Sequence, residues 1–517
     1  MLFNSLNYLI FFPIVILFYF VIPAKRKEMR NFWLLIASYF FYMNWNATYA
    51  LLLFGSTFVT YLAGILIEKA IKKKRGSLAK WVLGISFAIN IGILFFYKYI
   101  NFFIHNMNRI LGKIGSDEIA ALDILLPVGI SFYIFQALGY IMDVYREKIK
   151  ATKNLFRYML FVSFFPQLVA GPIERSTNLL KQFDEEHTFD TDRVREGLLT
   201  MLWGLFMKIM IADNLAVYID AVYANYVEYT GIEIILATVM FAFQIYCDFG
   251  GYTYIAIGSA KVLGFALMEN FNAPYQATSV KDFWRRWHIS LTGWFTDYLY
   301  IPLGGNRKGK IRKYINIFVV FFVSGLWHGA SWSYVVWGMI NGIYLIVQDA
   351  TIAVRQRVKQ FFHVREDRFS YRLGCGLATF LLVDFSWLFF RAKSIGNAVS
   401  ILKQIILSLQ PEKIFGLAVN RMGYTMQQLV ALIFAMLLLF VFDILKNHMY
   451  LMSKNDMQSL KDGSIEQSGP FQNVFQIILS QGMWFRWLVY LGLLFMILVY
   501  GAYGLEYTQT EFIYFQF

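Results

Sequence analysis

Apolar runs recur along the whole chain, and short polar or basic segments separate them. Several runs exceed the roughly 18 to 20 apolar residues that a helix needs to cross a bilayer about 30 Å thick. Examples lie at about residues 5–23, 81–104, 197–218 and 426–445. No polar block long enough for a soluble domain interrupts them. The pattern predicts an all-α, polytopic membrane protein with roughly eleven transmembrane helices, organised as a single domain over residues 1–517.

Some segments depart from simple crossings. Residues 31–67 are long enough for a hairpin with a break near Asn44, Trp45 and Asn46. Residues 155–171 are apolar but short, which favours a re-entrant or broken helix. Residues 281–303 are amphipathic, and we expect them to lie in, or dip into, the membrane interface.

Two polar segments near the end of the chain complete the predicted topology. We expect residues 391–425 to form an external amphipathic region and residues 446–482 to form the longest cytoplasmic loop.

Basic residues set the expected orientation. They cluster after the first span at Lys25–Arg30, after the hairpin at Lys69–Arg75, and most densely within residues 258–313. The positive-inside rule assigns these segments to the cytoplasm and the N-terminus to the outside. The net charge of +14 therefore reflects membrane topology rather than nucleic-acid binding. We expect a multi-pass protein of a cytoplasmic membrane, in contact with its lipids.

A histidine lies inside one of the apolar runs. The predicted helix begins near residue 314, which places His328 roughly 20 Å from the cytoplasmic face at 1.5 Å per residue. A histidine at that depth is costly unless it faces a polar cavity, so functional use is the default hypothesis. The alternative is a packing histidine bonded to a neighbouring helix. Neutral imidazole can accept a proton from a hydroxyl near physiological pH, as acyl transfer requires.

Small residues and tryptophans flank His328. The small residues allow backbone or ligand to approach closely, and we expect them to leave space beside the imidazole. They are Ser324, Gly325, Gly329, Ala330 and Ser331. Trp327, Trp332 and Trp337 either exclude water from the site or pack as ordinary membrane aromatics.

A second polar stretch, residues 281–288, mixes aromatic residues with cations in the order KDFWRRWH. Its arginines, with the cations of residues 307–313, can bind the phosphates of a large anionic donor, because guanidinium pairs with phosphate in bidentate geometry. Positive-inside charge and contact with lipid phosphate explain the same cations equally well. His288 is either a second catalytic group or a structural one. His288 and His328 show no familiar ligand spacing, so we expect no metal site.

The stretch from residue 271 to 338 holds four motifs. They read FNAPY at 271–275, DFWRRWHISL at 282–291, DYLYIPLGGNR at 297–307 and GLWHGA at 325–330. Further matching segments are residues 1–13, 164–173 and 389–392. Together they resemble the membrane-bound O-acyltransferase family, and more narrowly its bacterial alginate O-acetyltransferase branch.

That resemblance implies a multi-helix membrane fold around a central tunnel, with His328 as the catalytic histidine and His288 as a second functional histidine. It implies transfer of an acetyl group from cytoplasmic acetyl-CoA across the membrane, for O-acetylation of an extracytoplasmic polysaccharide. An exported acetyltransferase partner commonly completes the reaction. Acetyl-CoA enters as a substrate, and no bound cofactor is expected. The residues of the motifs expected to contact substrate or donor are Arg285, Arg286, Trp287, Asp297, Asn306, Arg307 and Trp327.

Other functions fit part of the pattern. Another branch of the same family transfers D-alanine to teichoic acid, although the length of 517 residues favours the alginate-type branch. A transporter or glycan-export component would also need intramembrane histidines and a basic cytoplasmic face. Transporters often carry paired broken helices in corresponding halves, and the sequence has no such internal symmetry.

Overall fold

The computed structural model describes residues 1–169, 171–413, 421–461, 473–503 and 512–513. Within these ranges the chain is helical and has no β-strand. The expected all-α membrane fold is therefore confirmed. The chain divides into two compact units. That its full length acts as one functional domain stays a prediction.

The first unit comprises Met1–Met201 and Ile255–Met268. Its helices are α1 (Leu6–Val21), α2 (Lys27–Met43), α3 (Thr48–Lys72), α4 (Gly76–Leu94), α5 (Ile100–Lys113), α6 (Ile130–Tyr145), α7 (Leu155–Ser163), α8 (Phe165–Leu168) and α9 (Ser176–Gln182). Helix α3 packs against α4 and α6, and α2 packs against α7. The predicted break near Asn44–Asn46 is confirmed between α2 and α3. The predicted broken helix is also confirmed, because Phe164 separates α7 from α8.

The second unit comprises Leu202–Tyr254 and Glu269–Gln516. Its helices, of which α10 and α12 also contribute residues to the first unit, are α10 (Thr191–Leu205), α11 (Asp213–Ala224), α12 (Gly231–Leu263), α13 (Val280–Arg286), α14 (Ile289–Phe295), α15 (Gly309–His328), α16 (Trp332–Ala350), α17 (Ile352–Phe361), α18 (Phe369–Arg391), α19 (Ile395–Leu407), α20 (Met426–Lys461), α21 (Val474–Leu479) and α22 (Met483–Tyr500). A π-helical segment, Phe206–Ala212, joins α10 to α11, and another, Thr296–Tyr300, follows α14.

Helices α15 and α16 pack closely because each contributes a glycine to their contact. A Cβ atom at Gly325 would lie 2.4 Å from the carbonyl oxygen of Tyr334, and one at Gly338 would lie 2.2 Å from that of Phe321. The space beside Gly325 is therefore filled by the backbone of α16. Gly325 thus allows the close approach of a backbone, which is one of the two roles expected of the small residues, and it leaves no space for a ligand at this point.

Seven helical segments of the described residues are long and apolar enough to cross a membrane, or eight if the pair α16 and α17, bent by 54°, forms one span. This is fewer than the roughly eleven crossings expected from apolar runs about 20 residues long. The difference has a physical reason. Helices α1 and α6 have 16 residues each and rise only about 24 Å, less than the hydrocarbon thickness. The orientation in the membrane stays a prediction.

The predicted loop at residues 446–482 is wrong in part. Helix α20 continues to Lys461, and α21 occupies Val474–Leu479. No glycine or proline occurs between residues 446 and 461, so nothing in the local sequence ends the helix once its apolar portion is complete. Residues 462–472 lie outside the described part of the chain. Within the predicted amphipathic region 391–425, the structure contains α19.

Candidate active site

His328 is the last residue of α15. The helix begins at Gly309, earlier than the expected start near residue 314, so its axis rises about 28 Å before it reaches the histidine. The side chain is 3% exposed. Gly329 follows in an extended conformation and turns the chain towards α16. The histidine therefore lies at the far end of α15 from the basic turn that precedes this helix.

His288 forms the joint between α13 and α14. Its backbone is left-handed, with φ 45° and ψ 52°, and its side chain is 1% exposed. Left-handed backbone is unfavourable for a residue with a Cβ atom, and such strain is found at functional sites when the surroundings hold it in place. The joint separates two short helices, and each of them contributes buried side chains to the unit.

Asn270 holds this joint from the preceding loop. Its backbone oxygen accepts a hydrogen bond from Ile289 N at 3.0 Å. Its side-chain Oδ1 accepts one from Ser290 Oγ at 2.6 Å, and its Nδ2 donates to Thr253 Oγ1 at 3.4 Å. Asn270 is fully buried. Asn270 thus accepts hydrogen bonds from both residues that follow His288, through its backbone from Ile289 and through its side chain from Ser290.

The two histidines come together although 40 positions separate them in sequence. Their ring centroids lie 6.4 Å apart, with an angle of 63° between the ring planes. The ring of Trp327 lies 5.8 Å from that of His288 and 5.0 Å from that of His328. Trp327 is 3% exposed, so the three rings form a buried group. Both imidazoles therefore lie at one buried place in the unit.

Aromatic residues from other helices enclose the pair. Phe249 of α12 lies 4.7 Å from the ring of His288. Trp337 of α16 and Phe390 of α18 lie 4.9 and 5.4 Å from the ring of His328. Trp337 therefore has the place expected for a residue that excludes water. Trp332 is 45% exposed, which favours the alternative given for it, an ordinary membrane aromatic.

Burial favours the neutral form of His288, because the charged form would lose its hydration. The side chain is 1% exposed. The imidazole is therefore neutral near pH 7, with one ring nitrogen as a donor and the other as an acceptor. A neutral ring can donate a hydrogen bond to an oxygen that gains negative charge, without presenting a fixed positive charge.

The stretch that contains both histidines lies within a longer similarity to known proteins. A family model for the membrane-bound O-acyltransferase family matches residues 146–368. The chain is 38% identical over 396 residues to a probable alginate O-acetylase of Pseudomonas putida, covering 76% of this chain and 78% of that protein. The chain belongs to the membrane-bound O-acyltransferase family. The resemblance drawn from the motifs is thereby confirmed.

Two further relatives of this O-acyltransferase differ in the extent of the match. A peptidoglycan O-acetyltransferase of Helicobacter pylori is 34% identical over 435 residues, which cover 78% of this chain and 80% of that protein. A teichoic acid D-alanyltransferase of Bacillus subtilis is 28% identical over 229 residues, which cover 42% of this chain and 58% of that protein. Similarity to the O-acetyltransferases thus extends over more of the chain.

Two of the residues expected to bind the donor are buried in the acyltransferase. Arg286 is 4% exposed, and its guanidinium donates to Asp282 Oδ2 at 2.9 Å and to Asn447 Oδ1 at 2.7 Å. Trp287 is 1% exposed and packs on Trp387 with 5.1 Å between centroids. These contacts join α13 to α20 and α18. For Arg286 they favour a structural role over the expected contact with donor phosphates.

Three of the other expected donor residues are exposed. Arg285 lies on the open side of α13, and Asn306 and Arg307 lie in the turn before α15. The buried Asn316 holds that turn, because its Nδ2 donates to the carbonyl oxygen of Gly305 at 2.9 Å. Asp297 is half-buried in the π-helical segment after α14. Trp327 is the one expected contact residue that lies against both histidines.

The segment 281–313 is divided between two ends of α15. His288 lies beside His328 at the end of this helix, whereas Arg307 lies before its first residue. Residues 281–303 were expected to lie in, or dip into, the membrane interface, and residues 324–332 to form a deeper pocket around His328. The structure brings His288 next to His328, and the depth of the pair in the membrane stays a prediction.

Asn270 and Phe249 are contact residues that sequence reasoning missed. Asn270 directly precedes the FNAPY motif, and Phe249 follows Asp248 inside the apolar run of α12. The position of Asn270 beside a motif could have indicated its role. Nothing in the sequence distinguishes Phe249 from the other phenylalanines, of which the chain has 52 in all. Among the described residues, no group of three or more His, Cys, Asp or Glu side chains could hold a metal ion. That the enzyme uses no metal stays a prediction.

Proposed function

We propose that this acyltransferase takes an acetyl group from cytoplasmic acetyl-CoA and passes it across the membrane for O-acetylation of an extracytoplasmic polysaccharide. The membrane is the cytoplasmic membrane of a bacterium, and an exported acetyltransferase partner receives the acetyl group or completes its transfer. The observation that carries the proposal is the buried pair His288 and His328, with ring centroids 6.4 Å apart.

The pair can divide the chemistry between its members. His328 accepts the proton of the acceptor hydroxyl as the hydroxyl oxygen attacks the carbonyl carbon of the thioester. The carbonyl oxygen gains negative charge in the tetrahedral intermediate, and neutral His288 donates a hydrogen bond to it. The C–S bond then breaks, and the protonated His328 returns the proton to the leaving thiolate. No step needs a metal or a redox partner.

Aromatic packing supports this assignment. Trp327, Trp337 and Phe390 surround the His328 ring and are nearly or fully buried, which keeps bulk water away from a thioester that it would otherwise hydrolyse. The exposed cations Arg285 and Arg307 remain candidates for the phosphates of the donor. Guanidinium groups at such positions can pair with phosphate in bidentate geometry.

D-Alanyl transfer to teichoic acid is the second candidate, because the similar protein of Bacillus subtilis is a teichoic acid D-alanyltransferase. Similarity to that relative covers 42% of this chain, against 76% and 78% for the two O-acetyltransferases. The longer match favours acetyl as the transferred group.

Inverted membrane vesicles test the proposal, because they present the cytoplasmic face to added donor. Vesicles with the parent protein should transfer label from added acetyl-labelled acetyl-CoA to alginate or peptidoglycan fragments that are enclosed in the vesicle lumen together with the exported partner. His328→Ala should lower the rate by about 10²- to 10⁴-fold, the usual contribution of a general base. His363→Ala is the matched control, because His363 is exposed in the loop after α17.

The outcomes separate the alternatives. Unchanged transfer in His328→Ala would contradict its role as the general base. Transfer of D-alanine from a carrier thioester, with no transfer of acetyl, would assign the protein to the teichoic acid branch. If neither group moves while labelled glycan crosses the vesicle membrane, the protein is an export component.

A further inference from the structure

A buried ion triad lies in the second unit, and the proposed chemistry makes no use of it. Lys208 Nζ lies 2.7 Å from Asp213 Oδ1 and 2.6 Å from Asp248 Oδ1. The three side chains are between 1% and 8% exposed. Lys208 belongs to the π-helical segment that joins α10 to α11, and Asp248 belongs to α12. Single π-helical turns of this kind occur often at functional sites.

The same aspartate also holds a distant segment of the chain. The backbone N–H of Ile513 donates to Asp248 Oδ2 at 2.8 Å, and this contact is buried. The ring of Phe512 lies 4.4 Å from that of Tyr252 and 6.0 Å from that of Phe249, both on α12. Phe512 is fully buried and Ile513 is 6% exposed. Asp248 thus uses one carboxylate oxygen for Lys208 and the other for Ile513.

Phe249 connects this arrangement to the histidine pair. It follows Asp248 directly on α12, and its ring lies 4.7 Å from that of His288 at an angle of 78°. Phe512 therefore packs against an aromatic ring that itself packs against His288. A movement of residues 512–513 away from α12 would remove one of the rings that contact Phe249.

Stability alone is a weak reason for such a triad. The cost of removing three charges from water offsets much of their attraction, and buried ion pairs can often be replaced by apolar residues without loss of stability. The triad instead fixes the orientation of a side chain. It orients the carboxylate of Asp248 so that its second oxygen meets the N–H of Ile513.

We infer that the buried ion triad and residues 512–513 are positioning residues for His288. Asp248 anchors Ile513, Phe512 covers Phe249, and Phe249 holds the imidazole of His288 in place and keeps water from that side of the site. This inference rests on the proposed acyl transfer. When the anchor is lost, His288 becomes more accessible, and water competes with the acceptor hydroxyl for the thioester.

Ile513→Pro tests the anchor, because proline has no backbone N–H to donate to Asp248. Ile513→Val is the matched control, since it keeps the N–H and most of the side chain. Three quantities are measured on the full-length protein in vesicles: acetyl transfer, acetyl-CoA hydrolysis, and modification of His288 by diethylpyrocarbonate. Modification is followed by mass spectrometry of the peptide that contains His288.

Ile513→Pro should raise two quantities by roughly tenfold: the ratio of hydrolysis to transfer and the rate at which His288 is modified. A factor of this size is expected from the loss of one buried hydrogen bond. kcat for transfer should fall with little change in KM for acetyl-CoA, and Ile513→Val should match the parent. Phe512→Ala, which leaves the N–H in place, should show the same changes through Phe249.

A parent-like hydrolysis ratio and parent-like modification of His288 in Ile513→Pro and Phe512→Ala would overturn the inference. A lower yield of folded protein with both readouts unchanged would show that the contact serves stability alone, which also overturns it. If the parent protein neither transfers nor hydrolyses acetyl-CoA, the proposed function fails. The modification rates still decide the inference in that case, because they do not depend on activity.

Discussion

Asn270→Ala would separate the positioning of His288 from the stability of the fold. The substitution removes the side-chain oxygen that accepts from Ser290 Oγ at 2.6 Å and the amide that donates to Thr253 Oγ1. The backbone bond from Ile289 N to the oxygen of residue 270 is retained. The left-handed joint at His288 then loses the hydrogen bonds of the Asn270 side chain, while the residues of the joint itself are unchanged.

The magnitude follows from two terms of similar size. Removal of one side chain from a buried hydrogen bond costs about 1–3 kcal/mol. The left-handed backbone of a residue with a Cβ atom, here at φ 45°, costs about 1–2 kcal/mol. Without the lost bonds, the strain of about 1–2 kcal/mol favours a relaxed joint in most molecules. Each 1.4 kcal/mol corresponds to a factor of ten, so kcat should fall about 5- to 30-fold.

Asn90→Ala is the matched control. Asn90 is fully buried in the first unit, and its Oδ1 accepts from Ser56 Oγ at 2.6 Å, as Asn270 accepts from Ser290. Both variants should lose a similar amount of stability, measured as the thermal unfolding midpoint in detergent. Only Asn270→Ala should lower kcat in the vesicle assay. Equal kcat in the two variants would refute the view that Asn270 positions the histidine.

Two further predictions concern the fold. Gly325→Ala would place a Cβ atom 2.4 Å from the carbonyl oxygen of Tyr334, so helices α15 and α16 must separate. Folded yield and activity should both fall, as measured by expression and thermal unfolding. Gly374→Ala is the control, because nothing lies within 4 Å of the added atom, and it should leave both quantities unchanged. Burial raises the pKa of Glu174 to about 7, although Met268 N donates to its carboxylate. The pKa of Glu174 in the folded protein therefore exceeds its value near 4.5 in the unfolded chain. The protonated carboxyl stabilises the fold fully below about pH 4.5, and this stabilisation is lost as pH rises through about 7. The free energy of unfolding should fall by about 3 kcal/mol over that range. Glu174→Gln should flatten that decline in thermal unfolding between pH 4.5 and 8, and parent and variant curves of equal slope would contradict the reasoning.

Local patterns predicted the membrane class, because burial in lipid requires long apolar helices and these leave contiguous runs in the sequence. They also predicted the break before α3, the division between α7 and α8, and the buried position of His328. The count of crossings was less accurate. Apolar composition extends over helices such as α1 and α6 that are too short to cross by themselves.

The pairing of the two histidines depended on tertiary structure. Periodicity and composition report only on residues near in sequence, whereas the distance between His288 and His328 depends on a single left-handed residue that turns the chain between α13 and α14. Packing also gave Arg286 internal partners on α13 and α20, so a cation expected to meet the donor became a link between helices.

By itself the sequence determined the chemical inventory: the apolar helices, the basic turns, the two histidines and the motifs that relate the chain to its family. Only the tertiary structure decided which of these groups meet. It placed Asn270 within hydrogen-bonding distance of the residues that follow His288, and Phe512 against the aromatic residues beside His288. The reason is that such contacts join residues up to 265 positions apart, and no local pattern encodes a distance between distant segments.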